Sequence, residues 1–176
     1  MEMRRKILTG LGMTTLIVGI AAAQSRQSAY RMMAPDSGFM TKAAQGGIAE
    51  VEMGRLALQH ASNEKVKQFG QRMVDDHSNA NDQLKQLASQ KGVTLPTEVN
   101  AKQKSTINKL SQLSGSEFDR AYMADMVKDH HEDVAEFQHE ANSGKDSDVK
   151  TFAGKVLPTL QDHLRMAEDA RGQLTK

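Results

Sequence analysis

The chain has 176 residues, with 23 lysines and arginines against 22 aspartates and glutamates, and it contains no cysteine. A near-balanced charge gives no reason to expect nucleic acid or an anionic lipid surface as a partner. The lack of cysteine excludes disulfides, lipid attachment through a thiol and thiolate chemistry.

The first 23 residues have the pattern of a secretory signal peptide. A basic start at residues 4–6 is followed by an apolar run at residues 7–20 and by three alanines at residues 21–23. This order predicts cleavage before Gln24. An uncleaved membrane anchor is the alternative, but the run is shorter than the ~20 residues that cross a bilayer. We therefore predict an exported protein, periplasmic or associated with the outer envelope, without a membrane span after cleavage.

Cleavage would remove three basic residues and one acidic residue, which leaves 20 basic and 21 acidic residues in the mature chain. Residues 24–39 mix Ser, Gln, Arg, Pro and Gly without a periodic apolar pattern, and this composition predicts a flexible arm. Residues 40–176 are the predicted folded domain, which is long enough for a single hydrophobic core.

Helical periodicity begins near Met40. A first segment, from about residue 40 to residue 61, carries apolar residues at helical spacing, and a second runs from about residue 64 to residue 91. Asn63 is a plausible N-cap for the second segment, and Gly92 suits its C-cap. We expect these two helices to form an antiparallel hairpin.

A weaker helical stretch lies between Gly92 and Gly115, and two strong helices follow, at about residues 117–142 and from about residue 146. No segment alternates with period two, so we predict no strand. A faint repeat relates residues 66–69 to residues 149–152. The sequence therefore predicts an all-α, ferritin-like four-helix bundle with a helical crossover between its second and third helices.

The dipeptide Asp-His occurs on three different predicted helices, at residues 76–77, 129–130 and 162–163. In each case the residues three and four positions before the histidine include an apolar side chain. That spacing places the histidine on or beside the apolar face of its helix. We therefore expect these histidines to point into the bundle.

The predicted helix limits place these rings at about the same depth in the bundle. His77 and His130 lie at the middle of their helices, and His163 lies about two residues past the middle of the last one. On the first helix, residues 50–52 lie at that depth, and Glu52 shares a face with Ile48 and Leu56. Glu52, His77, His130 and His163 are thus candidate ligands for a divalent metal ion such as Zn, Fe, Mn or Cu, and the adjacent aspartates could orient the rings.

The pattern leaves two alternatives open. A buried polar layer of His, Asp, Tyr122 and Glu52 could satisfy its own hydrogen bonds without a metal ion. His131 could also replace His130 if the helix is rotated. Two functions follow: an envelope protein that binds a metal ion or small ligand, or a non-catalytic structural or stress-related envelope protein. No catalytic residue is predicted.

Two further histidines, His60 and His139, lie near predicted helix ends and are expected outside the core. Glu136-Phe137-Gln138-His139 is the one match to the Glu-x-x-His pattern of di-iron bundles. His139 lies about 200° around the helix from the apolar Phe137, so the motif faces outward and is not a di-iron half-site.

Several short segments, in order, resemble the DUF4142 family. They are Ala-Glu-Val-Glu-Met-Gly-Arg-Leu-Ala at residues 49–57, Met-Val-Asp-Asp-His at 73–77, Phe-Asp-Arg-Ala-Tyr at 118–122 with Asp-His at 129–130, and Leu-Pro at 157–158 before His163. The resemblance covers about residues 39–174. It implies an exported bacterial ferritin-like bundle, of a type often labelled as outer-membrane proteins, and it implies no activity.

Overall fold

The computed structural model describes the backbone of residues 34–174 and the side chains of residues 36–174. The predicted signal peptide and residues 24–33 of the predicted arm lie outside the described residues. Within the described range the chain forms five helices and no strand: α1 (Ala34–His60), α2 (Glu64–Lys91), α3 (Ala101–Leu110), α4 (Gly115–Ser143) and α5 (Ser147–Leu174). The predicted all-α fold class is confirmed. None of these helices is long and apolar enough to cross a membrane.

The four long helices form two antiparallel hairpins. α1 packs against α2 and α4 against α5, and the hairpins meet through α1 with α4 and α2 with α5. The Lys91 Nζ atom at the end of α2 donates to Asp146 and Asp148 at the start of α5, at 2.7 and 2.6 Å. The connection that contains α3 therefore runs the length of the bundle before α4 begins. This is the ferritin-like four-helix bundle with a helical crossover that the sequence predicts.

The limits of α2 follow from the residues that flank it. The Asn63 Oδ1 atom accepts a hydrogen bond from the backbone N–H of Lys65 at 2.9 Å, and Gly92 has a left-handed φ of 66°. A side-chain acceptor at the start satisfies a helix N–H, and glycine adopts the left-handed conformation at little cost. Both predicted caps are confirmed.

Two buried aspartates hold the turns of the opposite hairpins. Asp119 of α4 accepts from the Ser62 hydroxyl at 2.6 Å and from two backbone N–H groups of the α1–α2 turn at 3.1 and 3.0 Å. Asp36 of α1 accepts from two backbone N–H groups of the α4–α5 turn, at 3.0 and 2.8 Å. Charge-assisted bonds of this kind are stronger than bonds between neutral groups. They fix the two hairpins at both ends of the bundle.

The contacts of Asp36 explain where α1 begins. The helix starts at Ala34, whereas apolar periodicity places its start near Met40. Asp36 is fully buried because backbone N–H groups of another turn surround its carboxylate. A search for apolar periodicity cannot detect a residue that is buried by hydrogen bonding, so the last residues of the predicted arm belong to the bundle.

The two hairpins repeat one another in sequence as well as in shape. Equivalent residues lie at one constant offset along the chain: Asp36 and Asp119, Glu50 and Asp133, Val66 and Val149, Phe69 and Phe152. The faint repeat seen in the sequence thus corresponds to two related helical pairs. Because α1 and α4 run in opposite directions, equivalent positions approach one another near mid-bundle, whereas those near helix ends, such as Asp36 and Asp119, lie at opposite ends.

A layer of polar side chains divides the core. One apolar cluster, around Phe69, Phe118 and Tyr122, fills the end near the α1–α2 turn. A second, around Phe39 and Phe137, fills the end near the α4–α5 turn. Three buried histidines, His77, His130 and His163, lie between the two clusters in sequence on their helices, and the buried Glu50 lies at the edge of the first cluster on α1. The fold thus places the candidate site at mid-bundle.

Helices α1 and α2 approach closely where Gly54 meets Gly70. A Cβ atom on Gly70 would lie 2.6 Å from the Ala57 Cβ atom and 2.9 Å from the Gly54 carbonyl oxygen. We expect Gly70→Ala to lower the free energy of unfolding by about 1–3 kcal/mol, because the two backbones must separate. Urea denaturation followed by circular dichroism measures the change.

Gly154→Ala is the matched control for Gly70→Ala. Its added Cβ atom would have its nearest neighbour, the Ala141 Cβ atom, at 3.9 Å, an ordinary contact distance. Alanine is favoured over glycine inside a helix by up to about 1 kcal/mol, so this variant should be at least as stable as the natural protein. Equal losses at both positions would contradict the close helix crossing.

Candidate metal centre

Four side chains from four helices meet at mid-bundle. Glu50 comes from α1, His77 from α2, His130 from α4 and His163 from α5, and none of the four is more than 5% exposed. One nitrogen from each of the three histidines lies within 4.8 Å of the others. The three rings that the Asp-His pattern places at one level are therefore neighbours.

Each ring has one nitrogen within 3.0 Å of a hydrogen-bond acceptor, and the second nitrogen of His130 also lies 3.4 Å from Glu50 Oε1. The His77 Nδ1 atom lies 2.8 Å from Glu50 Oε2, and the His163 Nε2 atom lies 2.8 Å from Asp76 Oδ2. The His130 Nδ1 atom lies 3.0 Å from the carbonyl oxygen of Met126, one turn earlier in α4. A carbonyl or carboxylate oxygen accepts hydrogen bonds, so the proton of each neutral ring lies on the nitrogen that faces it.

The other nitrogen of each ring is left with a bare lone pair. The His130 Nε2 and His163 Nδ1 atoms face each other at 3.3 Å. The His77 Nε2 atom has no hydrogen-bond partner. Two lone pairs at such a distance repel, and a buried acceptor without a donor loses the hydrogen bond that it had with water. A cation placed between the three nitrogens would remove both penalties.

Burial keeps the rings neutral. It lowers the pKa of His163 to about 4, with help from the nearby His77 ring and against the hydrogen bond to Asp76. Burial also lowers the pKa of His130 well below its ordinary value, and that of His77 to a smaller extent. Neutral imidazole is the form that binds metal ions. At neutral pH the three nitrogens are therefore available as ligands without prior loss of a proton.

The structure corrects the predicted carboxylate of the site. Glu52 is exposed, and Glu50 occupies the interior position that the sequence analysis assigned to Glu52. Two residues correspond to about 200° around a helix, so the two side chains point in nearly opposite directions. The core face of α1 carries small residues such as Ala49 and Ala57, and the larger Leu58 is 38% exposed. The prediction of Glu52 rests on the face that it shares with Ile48 and Leu56, and both of these side chains are only partly buried.

The remaining histidines lie outside the cluster. His131, the alternative to His130, has its side chain 60% exposed and contacts Glu168 at 3.4 Å. His139 is also exposed. His60 is partly buried near the end of α1, where its Nδ1 atom lies 2.8 Å from the Leu113 carbonyl oxygen. The rotation of α4 thus directs His130, and not His131, into the core. His60 and His139, near helix ends, lie outside the cluster.

Three aspartates surround the cluster. Asp76 follows the expectation that a neighbouring aspartate orients a ring, although it contacts His163 and not the adjacent His77. Although burial opposes it, hydrogen bonds from His163 and Arg72 lower the pKa of Asp76. On α4, burial raises the pKa of Asp129 to about 6 and that of Asp133 well above its ordinary value.

Asp133 was not predicted from the sequence. Its position is equivalent to that of Glu50 in the other hairpin, so the internal repeat is the signal that could have identified it. Burial also raises the pKa of Glu50 well above its ordinary value. A cation close to these carboxyl groups would favour their charged form.

Solvent reaches the edge of the cluster through a cleft between α2 and α5. Its volume is about 140 Å³, and its wall includes His77, His163, Lys155 and Thr159. A small molecule in this cleft would contact two of the three rings. The cluster is thus buried but adjoins an open cleft on one side of the bundle.

Fold and site together define a ferritin-like helical bundle with a histidine-rich polar layer at mid-bundle. The chain belongs to the DUF4142 family, a domain of unknown function whose sequence profile matches residues 21–170. The resemblance found in short segments of the sequence is therefore confirmed over most of the chain. No curated protein sequence matches it.

Two solved structures have a similar fold. A DUF305 fragment from Deinococcus radiodurans has a TM-score of 0.72 and 13% identity, over 81% of this chain and 98% of that one. A DUF305 protein from Streptomyces coelicolor, described as a candidate secreted protein, has a TM-score of 0.69 and 14% identity, over 80% of this chain and 92% of that one. At such identities the likeness concerns the fold alone.

Proposed function

We propose that this protein binds one divalent transition-metal ion between His77, His130 and His163, with the Glu50 carboxylate beside the ion. The observation that carries the proposal is the convergence of three bare imidazole lone pairs in the bundle interior. A metal ion placed among them turns a repulsive arrangement into three coordinate bonds. Without an ion, no donor within the described residues satisfies the His77 Nε2 atom.

The contacts behind the rings support the same function. Metal-binding histidines commonly donate their second ring N–H to a carboxylate or a backbone carbonyl, which fixes the tautomer and aims the free nitrogen at the metal. Here Glu50, Asp76 and the Met126 carbonyl oxygen occupy those three positions. A purely structural polar layer has no need for all three rings to present their free nitrogens to one point.

The donor set favours borderline metal ions. Imidazole nitrogen suits Zn²⁺, Cu²⁺, Fe²⁺ and Ni²⁺, whereas Mg²⁺ and Ca²⁺ prefer oxygen. Three histidine ligands leave at least one coordination position for Glu50, water or a small ligand. The cleft between α2 and α5 gives such a ligand access to the ring edges.

Isothermal titration of the metal-free mature protein, purified without a histidine tag, tests the proposal. We expect Zn²⁺ or Cu²⁺ to bind with a stoichiometry of one, and Cu²⁺ to give an electron paramagnetic resonance spectrum with nitrogen hyperfine structure. Absence of binding by all four ions named above would refute the proposal. The alternative would then stand: a structural envelope protein in which the cluster is a buried polar layer without a metal ion.

We also propose that the protein acts after export, in the periplasm or at the outer envelope. Residues 1–23 support this proposal, because a basic start is followed by an apolar run and by three alanines. The family match begins at residue 21, near the predicted cleavage site. N-terminal sequencing of the periplasmic fraction should find a chain that begins at or near Gln24. Full-length protein found only in the membrane fraction would contradict cleavage.

A further inference from the structure

Three carboxylates converge at Glu50. One oxygen each from Glu50, Asp129 and Asp133 lies within 4.8 Å of the other two. Asp129 and Asp133 are four residues apart on α4, a spacing that places both side chains on one face of the helix. Glu50 reaches them from α1. The cluster therefore depends on the packing of α1 against α4.

One oxygen of this cluster lacks any donor. Glu50 is 1% exposed, and its Oε2 atom contacts His77. Its Oε1 atom lies 3.4 Å from His130 Nε2, but the proton of that ring lies on Nδ1, which faces the Met126 carbonyl oxygen, so Oε1 accepts no hydrogen bond. A buried carboxylate oxygen without a donor or a cation is costly. This buried oxygen without a hydrogen-bond donor, and not the acidic composition alone, is the feature that a bound cation would satisfy.

The nearby lysines are engaged elsewhere. Lys42 pairs with Glu136 at 3.1 Å, and Lys102 and Lys128 each lie 4.0 Å from Glu132. Among the residues whose side chains are described, no lysine or arginine forms an ion pair with Glu50, Asp129 or Asp133. Lys102 therefore acts on Asp129 only from a distance, and no lysine or arginine of the described residues contacts the three carboxyl groups.

A cation has a path to the cluster that differs from the cleft beside the histidines. Asp129 and Asp133 line an open pocket of about 190 Å³ between α1, α3 and α4. Asp133, Glu50 and His77 also line a small cavity of about 20 Å³. A volume of that size holds about one water molecule or one ion. Asp133 thus lines both the open pocket and the small cavity, and it lies between solvent and Glu50.

The internal repeat explains why two carboxylates meet here. Glu50 on α1 and Asp133 on α4 are equivalent residues of the two hairpins. Because α1 and α4 pack against each other, equivalent positions near mid-bundle approach one another across the axis. The pairing is therefore a product of the fold's symmetry and not of a chance cluster on the surface.

We propose that Glu50, Asp129 and Asp133 bind a second divalent cation, of the hard class that includes Mn²⁺, Mg²⁺ and Ca²⁺. Carboxylate oxygens are the ligands that such cations prefer. Glu50 is shared, because its carboxylate contacts His77 and His130 and also has an oxygen within 4.8 Å of an oxygen of Asp129 and of Asp133. The protein thus has two adjacent sites of different chemistry, one of nitrogen and one of oxygen ligands.

The test uses Mn²⁺ as the probe on the full mature chain, before and after one equivalent of Zn²⁺ is added. Bound Mn²⁺ is counted from the loss of the free-ion signal in electron paramagnetic resonance spectra. We expect one Mn²⁺ per chain in the presence of Zn²⁺. Asp129→Asn and Asp133→Asn should each weaken Mn²⁺ binding at least tenfold while Zn²⁺ binding keeps its stoichiometry of one.

Two further variants separate the two sites. Glu132→Gln removes one negative charge from the same helix and the same open pocket, and it should retain Mn²⁺ binding. His163→Ala should lose Zn²⁺ and retain Mn²⁺. Circular dichroism melting of each variant verifies that it is folded, and the isosteric asparagine changes keep the side-chain volume.

The Mn²⁺ and Zn²⁺ results test the two sites separately. Binding of Zn²⁺ without Mn²⁺, or Mn²⁺ binding that survives both asparagine substitutions, overturns the second site and leaves the first. Absence of Zn²⁺ binding refutes the histidine centre, and the Mn²⁺ result is then read on its own. Equal loss of Mn²⁺ in Glu132→Gln would show a general charge effect and would also overturn the second site.

Discussion

Alanine at His130 should abolish stoichiometric metal binding, whereas alanine at His131, the next residue of α4, should leave it unchanged. His130 is fully buried with its Nε2 atom directed at His163, and the His131 side chain is 60% exposed. Loss of an orienting partner alone costs about 10–100-fold in metal affinity, so we expect loss of a ligand to cost at least 100-fold. Isothermal titration with Zn²⁺ and Cu²⁺ measures the change.

His77→Ala and His163→Ala should give the same loss as His130→Ala, because each supplies one of the three converging nitrogens. His139→Ala should bind as the natural protein does, because this side chain is exposed. His60→Ala should lower stability slightly, through loss of the contact with the Leu113 carbonyl oxygen, without a change in stoichiometry. A loss of binding in His131→Ala equal to that in His130→Ala would show that the ion binds at the surface.

The sequence predicted most of the bundle because its determinants are local. Helical periodicity, an N-cap at Asn63 and a left-handed glycine at Gly92 act over a few residues, and each is confirmed. The level of the histidines also follows from local information, since the middle of one helix meets the middle of its neighbour in any antiparallel pair. Three Asp-His dipeptides on separate helices were therefore sufficient to predict the cluster of rings.

The carboxylates of the site depend on tertiary contacts that periodicity does not encode. On α1 the buried face is built from small residues that permit close approach to α2 near Gly54, so the large residue Leu58 is exposed. Glu52 was predicted in place of Glu50 because it shares a face with Ile48 and Leu56, and these side chains are only partly buried. The start of α1 was missed for a related reason, because Asp36 is buried by hydrogen bonds from the other hairpin.

Replacement of His130 and His163 together by leucine should stabilise the metal-free protein. In that state the two facing lone pairs repel, and both rings are held in a fully buried layer between two apolar clusters. A buried polar atom without a hydrogen-bond donor costs stability, and replacing two such groups with apolar residues can be neutral or stabilising, so we expect a gain of about 1–2 kcal/mol in the free energy of unfolding. Asp76 keeps its ion pair with Arg72 in this variant.

The double leucine variant should also lose the rise in melting temperature that a bound metal ion gives the natural protein. An ion at one hundred times its dissociation constant stabilises the folded state by about 2.7 kcal/mol, which corresponds to a rise in melting temperature of roughly 5–10 °C for a domain of this size. The natural protein should show this rise, and the double leucine variant should show none. Melting curves with and without Zn²⁺, in the presence and absence of a chelator, measure both effects.

Whether the double leucine variant melts at a higher or a lower temperature than the natural protein, without metal, decides between the two functions of the polar layer. If the rings form a satisfied structural network, their removal breaks hydrogen bonds and leaves Glu50 with fewer partners, so the double variant should melt at a lower temperature by the same amount with and without Zn²⁺. If the rings are arranged for a metal ion, the metal-free protein carries the repulsion between them, and leucine relieves it. A variant that is more stable without metal and insensitive to its addition is the outcome that the converging lone pairs predict.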